Sequence, residues 1–263
     1  MEIRLLEKNE NRLLKKCRKI AHKNYLDNLV LIGDLHPPCI DLARIYGIFS
    51  EKKELTSFFV VFVGFHMPSI VLPVKLERRV FVKIMEFLNE ILPQSFLILS
   101  LELEEQDLTD FFRVGSVSVD YCMTIHAQDN PPEIPSLNLR KATIDDSNRI
   151  DDFYQAIGCG PWHTKQLESG FYHFIEKNDQ IIACGGTHFE TPRLAQLGNI
   201  FVHEEYRGQK YGEILTTAIT RAILAKKEIA TLFVRVENKI AQNLYTKLGY
   251  KMFKSANLIY CEK

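Results

Sequence analysis

The sequence predicts a mixed α/β (α+β) protein of two tandem units, each a mixed, mostly antiparallel sheet flanked by helices. Three observations carry that expectation. The polar, proline-rich stretch AQDNPPEIP, residues 127–135, nearly bisects the chain. Apolar runs rich in aromatic and β-branched residues pair across charged turns on both sides of it. Each pair is followed by an amphipathic helical period and then a strand, in the same order in both halves.

In the first half, Ala43–Phe49 and Leu55–Gly64 flank Ser50-Glu51-Lys52-Lys53-Glu54 and form a hairpin. Leu76–Leu92 is a helix by its period, with Phe81, Ile84, Met85, Leu88 and Leu92 on one side, and Phe96–Leu101 follows as a strand. In the second half, Gly170–Ile175 and Gln180–His188 flank Glu176-Lys177-Asn178-Asp179, the helix Tyr211–Lys226 precedes the strand Thr231–Val236, and a short helix closes at Gly249. Aligning Glu51-Lys52 with Glu176-Lys177, then Leu99 with Phe233, requires about nine extra residues in the second half, between hairpin and helix. Gly115 aligns with Gly249, which places a short terminal helix before Gly115 as well. The expected domains are residues 1–130, a degenerate copy, and 131–263, the half that keeps the chemistry.

Composition narrows the function. Lysine plus arginine number 33 and aspartate plus glutamate 33, so no basic excess points to nucleic acid or an anionic membrane. The runs Phe58–Phe65 and Phe96–Leu101 are too short to span a bilayer and read as buried strands. Glu7–Arg18 follows the start with charges where a signal peptide needs an apolar segment. The six cysteines have no CxxC or zinc spacing, and no metal is expected. Cys159, before Gly160-Pro161, reads as a reduced cysteine of a cytoplasmic protein rather than a reactive thiol.

The chemistry is written from Asn199 onward. The apolar strand Asn199–Val202 leads through His203-Glu204-Glu205-Tyr206 to Arg207-Gly208-Gln209-Lys210-Tyr211-Gly212, and Ile214, Leu215, Ala218, Ile219, Ala222 and Ile223 recur at helical spacing. A strand feeding a glycine-containing loop that opens a helix suits a phosphate, because the first helical amides lack internal acceptors and the dipole favours an anion. Gly208 and Gly212 let a pyrophosphate reach the backbone, and Arg207 and Lys210 add positive charge. Alone, the loop reads equally well as a solvated turn with a helix cap, since it has neither GK[ST] nor the full GxGxxG.

With Asn238, Ala241, Tyr245 and Leu248-Gly249-Tyr250 that follow, it closely resembles the GNAT superfamily of N-acetyltransferases over about Leu139–Tyr260. The loop matches the family's acyl-CoA motif, [QR]xxGx[GA], with Lys210 where the family has its central glycine. The repeated first half suggests a tandem arrangement, FR-type or glycine-N-acyltransferase-like. The resemblance implies acetyl-CoA as co-substrate and direct transfer of an acyl group to a primary amine in a ternary complex. The acceptor is a small-molecule amine, an amino acid or a protein amine. Backbone groups of Ile200, Phe201 and Val202 would meet the pantetheine arm. The amides of Gly208, Gln209, Lys210, Tyr211 and Gly212 would hold the pyrophosphate beside Arg207. Asn238 would hydrogen-bond the arm, and Tyr245 would protonate the leaving thiolate.

Many relatives place a glutamate or histidine base where this chain has Gln196, which leaves His188 and Glu190 as candidates; His203 is expected at the surface. The first half has no such loop in Ile70–Leu76, and Phe111 stands where Tyr245 aligns. The alternative function is a non-catalytic acyl-CoA-binding or interaction module.

Overall fold

The computed structural model describes every residue except 65, 130, 134–138 and 159–161. Cys159 and part of the proline-rich stretch therefore lie outside the described residues. The chain forms two compact units, Met1–Asp120 with Ser255–Lys263, and Tyr121–Lys254. These are not the contiguous halves that the proline-rich stretch suggests.

The elements are, in order, β1 (Glu2–Leu5), α1 (Asn11–Ala21), α2 (Leu29–Gly33), β2 (Ala43–Phe49), β3 (Leu55–Phe62), β4 (Ser69–Val71), α3 (Arg78–Ile91), β5 (Ser95–Ser100) and β6 (Arg113–His126). Then come β7 (Leu139–Lys141), α4 (Ser147–Ala156), β8 (His173–Lys177), β9 (Gln180–Glu190), β10 (Leu194–Val202), α5 (Tyr211–Leu224), β11 (Ile229–Arg235), α6 (Lys239–Lys247) and β12 (Lys251–Glu262). No helix among the described residues is long and apolar enough to cross a membrane.

In the first unit the strands run β1-β2-β3-β4-β5-β12, antiparallel except for β4 beside β5. Phe81, Ile84, Met85 and Leu88, the apolar face that the period of α3 predicts, are all buried. They pack with Phe59, Ile70, Phe96 and, from β12, Ile259 and Cys261. Leu14 and Cys17 of α1 pack into a second cluster with Ile45, Phe58 and Val60.

In the second unit the order is β6-β11-β10-β9-β8-β7. The register gives β7–β8, β8–β9 and β9–β10 as antiparallel and β10–β11 as parallel. The helix α5 is buried over most of its surface, threonines Thr216, Thr217 and Thr220 included, with Ile214, Leu215, Ile219 and Ile223 packed on Leu197, Leu232 and, from β6, Met123 and Ile125. Thus a strand from outside each contiguous half completes each sheet.

The repeat is visible in the elements: hairpin, strand, a 14-residue helix (α3, α5), and a strand parallel to the one before the helix. It breaks where the sequence predicts a short helix before Gly115. Only a 3-10 turn, Glu105–Asp107, forms there, and Gly115 lies in β6 under the Tyr260 ring. Gly115 itself lies at the opening of a strand whose period-2 alternation, Val117, Val119, Tyr121, Met123, Ile125, follows at once, so it caps no helix. Phe111 sits against Phe81, with ring centroids 5.9 Å apart, and packs with the core of its unit.

Candidate functional site

The strands β10 and β11 pair in register only over Leu194–Leu197 with Ile229–Leu232, although β10 continues to Val202 and β11 to Arg235. A bulge follows on β10: Gly198 opposes Gly186 and Phe201 opposes Cys184, so three steps along β10 answer two along β9. Asn199, inside it, has φ +54°. Asparagine is one of the few side chains that tolerates the left-handed region.

Beyond Val202 the chain turns through Glu204–Tyr206 into the start of α5. Gly208 has φ +76° and open space where a Cβ would stand. Lys210, at φ +66°, occupies the N-cap position, and no side chain caps the helix. Its carbonyl accepts from Ile214 N at 3.0 Å, so the amides of Tyr211, Gly212 and Glu213 precede the first intrahelical bond. A methyl on Gly212 would meet only Val202 Cγ2, at 3.6 Å. Arg207 and Lys210 are exposed, with Arg207 Nε donating to Val202 O at 3.4 Å. An uncapped, cationic helix start with room at both glycines fits a pyrophosphate. The candidate loop follows directly on the end of β10, so these residues lie together.

The short helix α6 carries Tyr245 and buries none of its residues fully. Asn238 caps it, with Oδ1 accepting from Ala241 N at 3.0 Å, which leaves the side-chain NH2 to meet a ligand. Lys247 pairs with Glu213 in the first turn of α5, so a direct ion pair joins the two helices. Tyr245 is half-buried, its ring centroid 6.0 Å from that of Tyr250, whose hydroxyl hydrogen-bonds Thr220 at 2.8 Å. Burial pushes the Tyr245 phenol up to about 12.

The two base candidates part company. His188 is the extra residue of a bulge on β9, between Thr187 opposite Leu197 and Phe189 opposite Gln196, and its ring covers Gly198, at the bulge on β10. Burial pulls its imidazole down to about 4, so it is neutral at physiological pH. Glu190 opposes Ala195, near the start of β10 and away from Val202, and is ion-paired to Lys227 at 3.0 Å. Its carboxylate is committed to Lys227, and the structure does not bring it together with the other candidates. Gln196 is buried on β10 between Phe189 and Thr231. His203 departs from its expected surface role: it is half-buried beside Tyr206, and its Nδ1 is buried with no partner among the described residues.

The sequence reading passed over the residues that shape the β10 bulge. Gly185 and Gly186 lie opposite it: a Cβ on Gly185 would meet Ile200 at 2.5 Å, and one on Gly186 the Tyr172 ring at 2.1 Å. The signal was present as Gly185-Gly186 and Gly198-Asn199 inside apolar strands, where glycine marks a bulge or a close approach.

Strands that part beside an uncapped glycine-containing helix start form a cleft suited to an anionic ligand, and comparison with known proteins narrows the class. The family model "Acetyltransferase (GNAT) family" matches residues 141–250. A protein of Bacillus subtilis (strain 168), provisionally assigned as a ribosomal protein bS18-alanine N-acetyltransferase, is 31% identical over 121 residues, 42% of this chain and 78% of that protein. Among solved structures, an acetyltransferase of the GNAT family from Colwellia psychrerythraea is similar at a TM-score of 0.65 and 18% identity, covering 100% of both chains. A tandem GNAT protein from the clavulanic acid biosynthesis pathway is similar at 0.65 and 11% identity, covering 99% of this chain and 98% of its own. The chain belongs to the GNAT acetyltransferase family.

Proposed function

We propose that the protein transfers an acetyl group from acetyl-CoA directly to a primary amine in a ternary complex. The observation that carries this reading is the parting of β10 from β11 after Leu197 beside the uncapped start of α5. Acetyl-CoA, when bound, supplies the activated thioester. The amides of Gly208 to Gly212 hold the pyrophosphate, with Arg207 and Lys210 adding charge. Backbone groups of Ile200 to Val202 and the Asn238 amide orient the pantetheine arm. Tyr245 gives its proton to the departing sulfur; a phenol at about 12 stays protonated across the physiological range. His188, neutral, accepts a hydrogen bond from the incoming amine, whose proton leaves to water. Glu190, held by Lys227, takes no part.

The relative assigned to an alanine of ribosomal protein bS18 makes amino acids and peptides with free amines the first acceptors to try. We assign the first unit the role of a degenerate copy. Its equivalent loop keeps a left-handed lysine, Lys75 at φ +59°, but Glu102 already accepts from the Lys75 amide at 2.7 Å. Cys17, Cys39, Cys122, Cys184 and Cys261 form no disulfide among the described residues.

A second reading, a non-catalytic acyl-CoA-binding module, is favoured by Lys210 in a glycine position and Gln196 in a base position. Thiol release from acetyl-CoA in the presence of small amines, amino acids and peptides separates the two. Acceptor-dependent release supports transfer. Acetyl-CoA binding without release by any acceptor class supports the module, and no binding overturns both.

A further inference from the structure

Beneath the β10 bulge lies a closed set of buried polar groups that none of the steps above uses. Tyr154, from α4, donates its hydroxyl to the Asn199 carbonyl at 2.8 Å. The Asn199 side-chain amide donates to the Tyr172 hydroxyl at 3.0 Å and to Gln166 Oε1 at 3.3 Å. Tyr172 in turn donates to Gln166 Oε1 at 3.0 Å, and Gln166 Nε2 donates to the carbonyl of His188 at 3.4 Å. All four of these side chains are buried: Tyr154 is 1% exposed, Tyr172 0%, Gln166 6% and Asn199 7%. The network therefore grips both faces of one residue whose backbone is left-handed, and it reaches the bulge that carries His188.

We infer that Asn199 is a positioning residue for the proposed reaction: the Tyr154–Asn199–Tyr172–Gln166 network fixes the bulge so that the backbone of Ile200 to Val202 is already aimed at the acyl-CoA arm. The argument is one of preorganisation. A left-handed asparagine is strained, and without its hydrogen bonds the peptide planes on either side of it have other orientations to sample. Any ligand that needs those planes in one orientation would then have to order them on binding, and its affinity would fall by that cost. A set of hydrogen bonds serving the core alone would not need to seize both the carbonyl and the amide of the single residue at the strand's turning point. The close approach of Ile200 to Gly185 and of Tyr172 to Gly186 shows that the neighbouring strand is shaped to the same end. This inference rests on the acyltransfer reading.

The test uses the full chain and three variants, with acetyl-CoA affinity measured by calorimetry beside the melting temperature. Tyr154→Phe removes one hydroxyl and little volume. It is expected to weaken acetyl-CoA binding about fivefold, the worth of one net hydrogen bond, and to raise KM for acetyl-CoA with kcat nearly unchanged. Asn199→Ala loses both the amide and the tolerance for φ +54° and is expected to weaken it further. Asn199→Gly keeps the backbone conformation at no steric cost and should recover part of that loss. If Asn199→Ala fails to fold, the Tyr154→Phe result decides. Variants that melt lower yet bind acetyl-CoA as tightly as the wild type would make the network a core element and overturn the inference, with the acyltransfer reading intact. A wild-type protein that binds no acetyl-CoA would instead bring down that reading, and this inference with it.

Discussion

Tyr245 and Asp34 are held where ionisation is disfavoured, and each offers a measurement. Burial raises the Tyr245 phenol to about 12, and in the proposed reaction the same burial would raise the basicity of a thiolate beside it, so the proton would pass between partners that both prefer to be neutral. Tyr245→Phe should leave acetyl-CoA affinity and melting temperature nearly unchanged. It should lower kcat and kcat/KM together by about 10²–10⁴, the usual worth of a positioned acid. Near-wild-type turnover, with chemistry shown to limit the rate, would remove Tyr245 from the mechanism. Asp34 is buried, its Oδ2 has no partner among the described residues, and burial lifts its carboxyl to about 8. Unfolded, it ionises near 4, so between about pH 4 and 8 ionisation favours the unfolded chain and its contribution to stability falls as pH rises. The gain in melting temperature from Asp34→Asn should therefore grow from pH 5 to pH 8; a constant difference would contradict the shift. His188 works in the opposite sense, because its lowered pKa withdraws stability as pH falls from about 6.5 towards 4. Candidates such as Gly208, Gly212, Asn238 and Tyr245 were legible in the sequence because the proposed chemistry would need those types at that spacing. The places of Asn199 and Gly185 were not, since they follow from a register shift between strands, and the ion pair of Glu190 with Lys227 was not, since nothing local announces Lys227 across the fold.

Among the elements, β6 and α6 show where local pattern and tertiary context part. The alternation from Val117 to Ile125 makes β6 a strand, yet its place beside β11 depends on long-range pairing that no local signal encodes. Met123 and Ile125 pack into the core around α5. A fragment beginning at Pro131 lacks both and leaves β11 with an open edge, so it should melt well below the full chain and show apolar surface to a dye. Extending it back to Arg113 should restore a cooperative transition; equal melting of the two fragments would show that β6 is dispensable. α6 is the reverse case, plain in sequence from Asn238 to Gly249, where Gly249 at φ +95° follows the last turn. It buries nothing fully, so Tyr245 is held by the partial packing of Ala241, Leu244 and its own ring on the core, with the cap and the pairing with α5 beside it.

For the whole molecule, the duplication was readable because hairpin, helix and strand recur in order, and the exchange of strands was not, because both exchanged segments look like ordinary strands of their own half. A chain with one working loop and one satisfied from within should bind one equivalent of acetyl-CoA. Calorimetry giving two equivalents of similar affinity would end the degenerate-copy reading. The membership of Asn257–Glu262 in the first unit, in register with Ser95–Ser100, has a consequence for how the protein comes into being. On the ribosome the first unit emerges early but lacks the strand beside β5 until the codons for those residues have been read. Its early part must wait, partly formed, through the synthesis of the entire second unit. Such a nascent chain has a built-in period of vulnerability to chaperones and proteases, and a stop codon placed just before Ser255 would cripple the unit that was made first.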